Sequence, residues 1–384
     1  MTGRRQFGAI RQLASGRYQV RYRDHMSGQL VPAPSTFGTK KDANLFLSRV
    51  ETEQERGSFV GAHTGKISVD EFAKKWLANH PSLRPRTREN YSGNLRLHIL
   101  PELGQIELGK LAPARVREWH AQLSQSGLAA TTVARCYRIL KSLCATAVAD
   151  ELIARNPCVV RGASTSKSDE RPIATIDQVW QLAESIHPRY KVLVLLATFT
   201  GLRLGELLAL TVSDIDLSET SPYVAVRKQV FELEDGTHQY GPPKTDAGRR
   251  DVSIPPPLIT YIETHIAQWA ETDRDGLIFP APKGGLVRRS NFNRRAWAPA
   301  VRSVGLLGFH FHDLRHTGNT LAAITGASTK ELMSRMGHAS PRAALLYQHA
   351  TRERDAEIAV RLGALIRIET TDLPDQTTTL AERL

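Results

Sequence analysis

Five basic side chains and one phenol, spread over four short blocks, have the types needed to hold and attack a phosphate. The block Thr200-Gly-Leu-Arg-Leu-Gly-Glu-Leu-Leu-Ala-Leu210 sets Arg203 at a turn between two apolar helices, with Glu206 three residues on. An arginine beside apolar helices is costly unless it is paired or binds an anion. Two readings stay open: a structural Arg203–Glu206 pair, or a glutamate that braces a guanidinium aimed at an oxyanion as a bidentate fork. In His310-Phe-His-Asp-Leu-Arg-His316, His312 and Arg315 stand at i and i+3 on one helical face. Three histidines and Asp313 could also be read as a divalent-metal site. A guanidinium beside the imidazole repels a dication and suits an oxyanion, so no metal is expected, and His310 and His316 read as structural. The block Gly337-His-Ala-Ser-Pro-Arg-Ala-Ala-Leu-Leu-Tyr-Gln-His349 offers Ser340 as a helix cap and Pro341 at the first helical position, which puts Tyr347 on a short helix after His338. Lys244, in Gly-Pro-Pro-Lys-Thr-Asp-Ala-Gly-Arg-Arg, lies between two β segments, where a hairpin tip could project it into a site built by helices.

The elements that carry these blocks follow from periodicity. The pattern predicts helices at Asp177–Ser185, Tyr190–Thr200 and Leu204–Leu210, strands near Tyr223–Glu232 and Arg250–Ile254, and helices onward to about Leu362. Upstream, Ser68-Val-Asp-Glu71 fits a capping box. Apolar residues at helical spacing over Arg86–Leu100, Pro113–Gln125 and Ala130–Asp150, with breaks at Pro101 and Gly127, predict an all-helical bundle. Arg84, Arg86, Arg88 and Arg96 cluster near the start of its second helix, a surface suited to positioning phosphates. Nearer the start, Tyr18, Val20 and Tyr22 alternate with Arg17, Gln19, Arg21 and Arg23, as in a strand with one packing face and one basic face. A second short strand around Leu30–Phe37 and a helix from Thr39 to about Arg56 complete a small sheet backed by a helix, and a basic β-ribbon can enter a major groove. Either basic surface could equally be a solvated face.

Bulk composition limits what this assembly can be. The 384 residues carry 51 Lys/Arg against 39 Asp/Glu, a formal charge of +12. The first 41 residues alone hold eight basic residues and one acid. Such an excess fits a polyanionic partner. With 41% apolar and 23% charged residues the chain can bury a core. No apolar stretch approaches the roughly 20 residues of a membrane-spanning helix. The start, MTGRRQFGAI, has no apolar run of a secretory signal, so the protein is expected in the cytoplasm. Cys136, Cys144 and Cys158 lack metal-ligand spacing and read as small core residues. The end of the chain, Glu369–Leu384, has no periodicity.

The ordered set Arg203, Lys244, His312-x-x-Arg315, His338 and Tyr347 resembles the tyrosine recombinase family, and the flanking Thr-Gly-Leu-Arg-Leu-Gly-Glu block resembles it closely. The departure is Met336, which stands before Gly337-His338 where the family has leucine. Asn90-Tyr91, His98-Ile-Leu-Pro-Glu-Leu-Gly104 and Asn156-Pro157 resemble the family's core-site-binding domain, and residues 1–60 resemble, more loosely, the arm-site-binding domain of phage-type integrases. The resemblance implies a multidomain chain. Residues 1–60 would form a small α+β arm-type DNA-binding domain, 66–161 an all-α core-site-binding domain, 172–366 a mainly-α catalytic domain with a small antiparallel sheet, and 367–384 a flexible tail.

The same resemblance implies a site-specific DNA recombinase of a phage or mobile element, working on core and arm attachment sites as a DNA-assembled tetramer, with accessory bending and directionality proteins. It implies that Tyr347 attacks the scissile phosphodiester to give a 3′-phosphotyrosyl link, with neither ATP nor metal. Arg203 and Arg315 would stabilise the phosphate, with Glu206 supporting, Lys244 would protonate the leaving 5′-oxygen, His312 would serve in proton transfer, and His338 would hydrogen-bond the phosphate. Arg17, Arg21, Arg23, Arg84, Arg86, Arg88 and Arg96 would bind DNA. Every catalytic position that the resemblance requires is filled. The alternatives are a non-catalytic DNA-binding regulator, a metal-dependent phosphodiesterase built on His310–His316, and a topoisomerase-like relaxing enzyme.

Overall fold

The structure, a computed structural model, describes residues 7–24, 28–55, 64–80, 83–166, 171–341 and 360. The chain divides into two units. One comprises Met1–Glu170 with Leu233–Asp235, and the other Arg171–Glu232 with Gly236–Leu384.

The first unit holds two separate cores. Near its start, β1 (Gly8–Gln12), β2 (Tyr18–Arg23) and β3 (Leu30–Pro32) form an antiparallel sheet in the order β1-β2-β3, followed by α1 (Lys40–Glu55). Val20 and Tyr22 on β2 are buried with Ala43, Leu47 and Val50 of α1, while Arg21 and Arg23 stay exposed. The alternation therefore works as expected, and β1 adds a strand that the sequence reading lacked. Further along, α2 (Val69–Asn79) starts at Ser68, whose Oγ accepts the Glu71 N–H at 3.1 Å. Then follow α3 (Pro85–Asn94), α4 (Leu100–Leu103), α5 (Pro113–Gln125) and α6 (Ala130–Ala149) around Trp119, Tyr137 and Leu140.

Two local outcomes differ in kind. Gly127, at φ +80°, follows the end of α5 as expected. Pro101 does not break its helix: a π turn at Leu95–Ile99 joins α3 to α4, and Pro101 falls in the first turn of α4. The wider turn rearranges the hydrogen-bond ladder where proline has no N–H to give. The three cysteines are buried free thiols.

The second unit is built on α8 (Lys191–Phe199), in which every residue from Val192 to Thr198 is buried. A helix apolar on all sides must be enclosed. It is preceded by α7 (Ile176–Ser185) and packs against α13 (Phe311–Ile324). The approach to α13 is close, because a Cβ on Gly318 would stand 1.8 Å from the Thr198 carbonyl oxygen. Only glycine fits there.

After α9 (Leu204–Leu207), β4 (Ile215–Asp216), β5 (Tyr223–Val226) and β8 (Arg250–Ser253) make an antiparallel sheet in the order β4-β5-β8, with Val224 opposite Val252. Between β5 and β8, β6 (Gln229–Glu232) and β7 (His238–Gly241) form a separate hairpin. Helices α10 (Ile259–Trp269), α11 (Arg289–Phe292), α12 (Ala298–Ser303) and α14 (Thr329–Met336) complete the unit. Among the described residues no helix is long and apolar enough to cross a membrane.

Candidate active site

Helix α8 ends at Thr200, and Gly201 turns the chain with φ +65°, a conformation glycine adopts without strain. A Cβ there would also stand 2.2 Å from the Met336 sulfur, so the methionine before Gly337-His338 packs on this corner. Arg203 is then the N-cap of α9, and Glu206 at its third position accepts the Arg203 backbone N–H at 3.0 Å and its Nη1–H at 2.8 Å. The i, i+3 spacing thus serves two purposes. One carboxylate caps the short helix and holds the guanidinium that precedes it, leaving Arg203 partly open to solvent.

Glu206 is 1% exposed and has a second cation, Arg250, at 3.1 Å. Burial pushes its carboxyl up, but Arg250 and then Arg203 outweigh it and the net shift is downward. Arg250 was not among the expected site residues, and neither was Arg335. Arg335 donates from Nη2 to the Phe199 carbonyl at 2.6 Å and to that of Ser253 at 3.3 Å.

Helix α13 brings the next group. Asp313, fully buried, accepts the His310 N–H at 2.7 Å and pairs with Arg171 at 3.0 Å, fixing the start of the helix. Arg315 is buried and donates to the carbonyls of Gly201 and Met336, tying α13 to the corner before Arg203 and to the end of α14. His312 keeps an exposed edge in a crowded setting and contacts His316 edge to face, with ring centroids 5.0 Å apart. Burial, then His316, Arg315 and Arg203, push His312 down to about 4. His338 is also pushed down to about 4, by burial, then Arg315, Arg203, Arg250 and His316. Its Nδ1 has no hydrogen-bond partner among the described residues. The shared perturbers draw Arg203, Arg315, His312 and His338 into one electrostatic neighbourhood with an excess of positive charge.

Lys244 is exposed and does not sit at a hairpin tip. The tip of β6–β7 is the Asp235-Gly236 turn, with Gly236 at φ +83°, and Pro242-Pro243 end β7 because they have no N–H for a ladder. Lys244 therefore lies on the link from β7 to β8, just before a turn at Asp246–Gly248. That turn packs on the His338 corner: a Cβ on Gly337 would stand 2.9 Å from the Ala247 oxygen and 3.1 Å from Gly248 Cα. Tyr347 lies outside the described residues.

Several of the seven arginines expected to meet DNA also have partners within the protein. Arg17 donates to Thr36, Arg23 to the Gly28 carbonyl at 2.7 Å, and Arg86 pairs with Glu89 at 3.0 Å. Arg88 spends its guanidinium on the Leu77 and His80 carbonyls at the end of α2. Arg84 is exposed at the N-cap of α3, and Arg21 and Arg96 are exposed. A basic face that the sequence reading passed over lies in the second unit. Arg288, Arg289, Arg294 and Arg295 are all exposed around the start of the helical run 289–303, and none has an ion-pair partner among the described residues. The block Arg-Arg-Ser-Asn-Phe-Asn-Arg-Arg was the available signal. Among the described residues no group of His, Cys, Asp and Glu could hold a metal ion.

Comparison with known proteins decides the family. The chain matches the phage integrase family over residues 173–354, the phage integrase N-terminal domain over 6–56 and the phage integrase N-terminal SAM-like domain over 68–124. It is 38% identical over 371 residues to the prophage phiRv2 integrase of Mycobacterium tuberculosis, covering 94% of this chain and 96% of that protein. The chain belongs to the phage integrase family. As a phage-type integrase it is of the tyrosine recombinase class of enzymes. The integrase of Mycobacterium phage D29 is 31% identical over 376 residues, covering 95% and 98% of the two chains. Among solved structures, the Tn1549 transposon integrase in complex with transposon right end DNA shares the fold at TM-score 0.67 and 20% identity, over 77% of this chain and 99% of that one. A lambda integrase dimer bound to a COC′ core site does so at TM-score 0.56 and 19% identity, over 90% and 96%.

The depressed histidines give this integrase a pH signature. Between about pH 6.5 and 4 the unfolded chain binds protons at His312 and His338 that the folded chain refuses, so stability should fall as pH drops through that window. Thermal melts should show this loss, and His312→Asn with His338→Asn should flatten it; an unchanged slope in the double variant would contradict the assignment.

Proposed function

We propose that this integrase joins and separates duplex DNA at attachment sites through a 3′-phosphotyrosyl intermediate on Tyr347, inserting a phage or related mobile element into a bacterial chromosome and excising it with helper proteins. The observation that carries the reading is that Arg315, by donating to the Gly201 and Met336 carbonyls, ties the helix that also bears His312 to the segments that bear Arg203 and His338, so that four basic side chains come from three joined segments. Such a set fits the negative charge that spreads over a phosphodiester in its transition state, and donors fixed beforehand pay no reorganisation cost when the charge arrives.

In this reading Arg203 and Arg315 bind the non-bridging oxygens. The tyrosine oxygen attacks phosphorus, its proton passing to His312, and the 5′-oxygen leaves with a proton from Lys244. A free phenol has a pKa of about 10, so a neutral imidazole able to accept its proton is useful at neutral pH. His338 donates to the phosphate. The link stores the energy of the broken bond, so rejoining needs no ATP.

Residues 1–60 are proposed to bind arm sites and 66–161 core sites, with residues 172–366 catalytic and 367–384 a tail. The lambda integrase tetramer bound to a Holliday junction supports a tetramer on DNA here as well. The site of action is the host cytoplasm or nucleoid, and DNA-bending and directionality proteins are the expected helpers. Arg21, Arg84 and Arg96, with the face of Arg288, Arg289, Arg294 and Arg295, are the proposed DNA contacts. If that face grips phosphates, Arg288→Ala and Arg295→Ala should each reduce the slope of log affinity against log salt by about 1. Slopes equal to wild type, measured by titration at several salt concentrations, would remove the face from the interface.

Incubating the full chain with a nicked attachment-site duplex in EDTA tests the whole reading. Covalent protein–DNA complex is the expected product. Binding without cleavage would point to a regulator, and cleavage only with magnesium to a metal phosphodiesterase.

A further inference from the structure

Arg250 has a 5% exposed side chain and occupies no position in the chemistry above, yet it reaches three segments that do. Its Nη2 pairs with Glu206 at 3.1 Å, on the carboxylate oxygen facing away from the Arg203 Nη1 contact. Its Nη1 donates to the Gly248 carbonyl at 3.0 Å, within the turn Asp246–Gly248 that follows Lys244. Its Nε donates to the Arg335 carbonyl at 2.7 Å, in the last turn of α14 before His338. Arg335 in turn donates to the Phe199 carbonyl at the end of α8, so the connection returns to the corner before Arg203. A planar guanidinium with donors in a fixed fork sets the relative position of all three partners, which a flexible ammonium cannot do.

We propose that Arg250 is a positioning residue for strand transfer, registering the Lys244 turn and the His338 corner against the Arg203–Glu206 pair. The inference rests on the proposed function, in which Lys244 protonates the leaving 5′-oxygen. Lys244 lies on a link anchored by Arg250 through Gly248, and Gly337 leaves no side chain between that link and His338. Loss of Arg250 frees the turn, and the proton donor is the group most displaced. Arg250 thus acts through the lysine without touching DNA.

The test compares two suicide duplexes in the full-length protein, one with an ordinary scissile phosphodiester and one with sulfur in place of the bridging 5′-oxygen. A thiolate leaves without a proton, so the sulfur substrate does not need the lysine. Arg250→Met should bind DNA within about threefold of wild type, since it removes no phosphate contact. It should cleave the oxygen substrate about 100-fold more slowly, the usual scale for a lost general acid, and recover most of that loss on the sulfur substrate. Lys244→Ala should show the same pattern, and Arg250→Lys should fall between Met and wild type. An equal deficit on both substrates would overturn the proposal, as would a wild-type rate on both. If Arg250→Met does not fold, Arg250→Lys, which keeps the charge beside Glu206 without the planar fork, is read in the same way on the two substrates. Wild-type protein that cleaves neither duplex would instead refute the function reading itself.

Discussion

Arg203→Ala is expected to lower the rate of covalent complex formation about 1,000-fold, the scale seen when one preorganised donor to a transition-state oxyanion is removed. Arg203 has its Glu206-facing nitrogen fixed at 2.8 Å and its side chain 27% exposed, so the group is braced on one side and presented on the other. It is also one of the cations that depress both His312 and His338. Its loss should therefore shift the pH dependence of cleavage toward higher pH as well as slow it. Binding to a full attachment site should change by only about threefold, because many phosphate contacts share that term. Arg203→Lys keeps the charge without the planar fork and should recover part of the rate. Single-turnover cleavage and equilibrium binding, measured on one duplex, separate the two effects; a loss in binding as large as the loss in rate would contradict a transition-state role.

The second large effect is on folding. Glu206→Ala leaves Arg250 buried without its counter-charge and removes the acceptor for the Arg203 N–H, so unfolding free energy should drop by about 3–5 kcal/mol. Glu206→Gln keeps an acceptor at the cap and should cost less. Denaturant titration followed by circular dichroism reads the difference, and a change below about 1 kcal/mol in Glu206→Ala would mean the pair is not a structural keystone.

Much of this site was readable because its key spacings are local. Arg203 and Glu206 lie three residues apart, and so do His312 and Arg315, so one helical turn sets each relation. The alternation of Tyr18, Val20 and Tyr22 with arginines likewise gave β2 its inward and outward faces. What escaped depends on distant segments. Nothing near Arg250 in sequence says that its partner is Glu206, 44 positions earlier, or that the Arg335 carbonyl would receive its Nε–H. Charge counts also cannot separate an arginine that waits for phosphate from one that caps a helix, which is why Arg88 and Arg96 read alike although Arg88 is spent on the carbonyls of Leu77 and His80. Two β segments flank Lys244 and suggest a hairpin tip, but the Pro242-Pro243 pair between them separates those segments into two sheets. Short strands such as β1 and β7, without alternating apolar residues, give no periodic signal at all.

The proposed chemistry requires a bond between the Tyr347 oxygen and a DNA phosphorus. Trapping the complex on a nicked attachment duplex, digesting it with protease and nuclease, and locating the nucleotide-bearing peptide by mass spectrometry measures that bond directly. The predicted result is a nucleotide on Tyr347 in the wild-type protein and no adduct in Tyr347→Phe. An adduct on another residue, or one that persists in the phenylalanine variant, would contradict it.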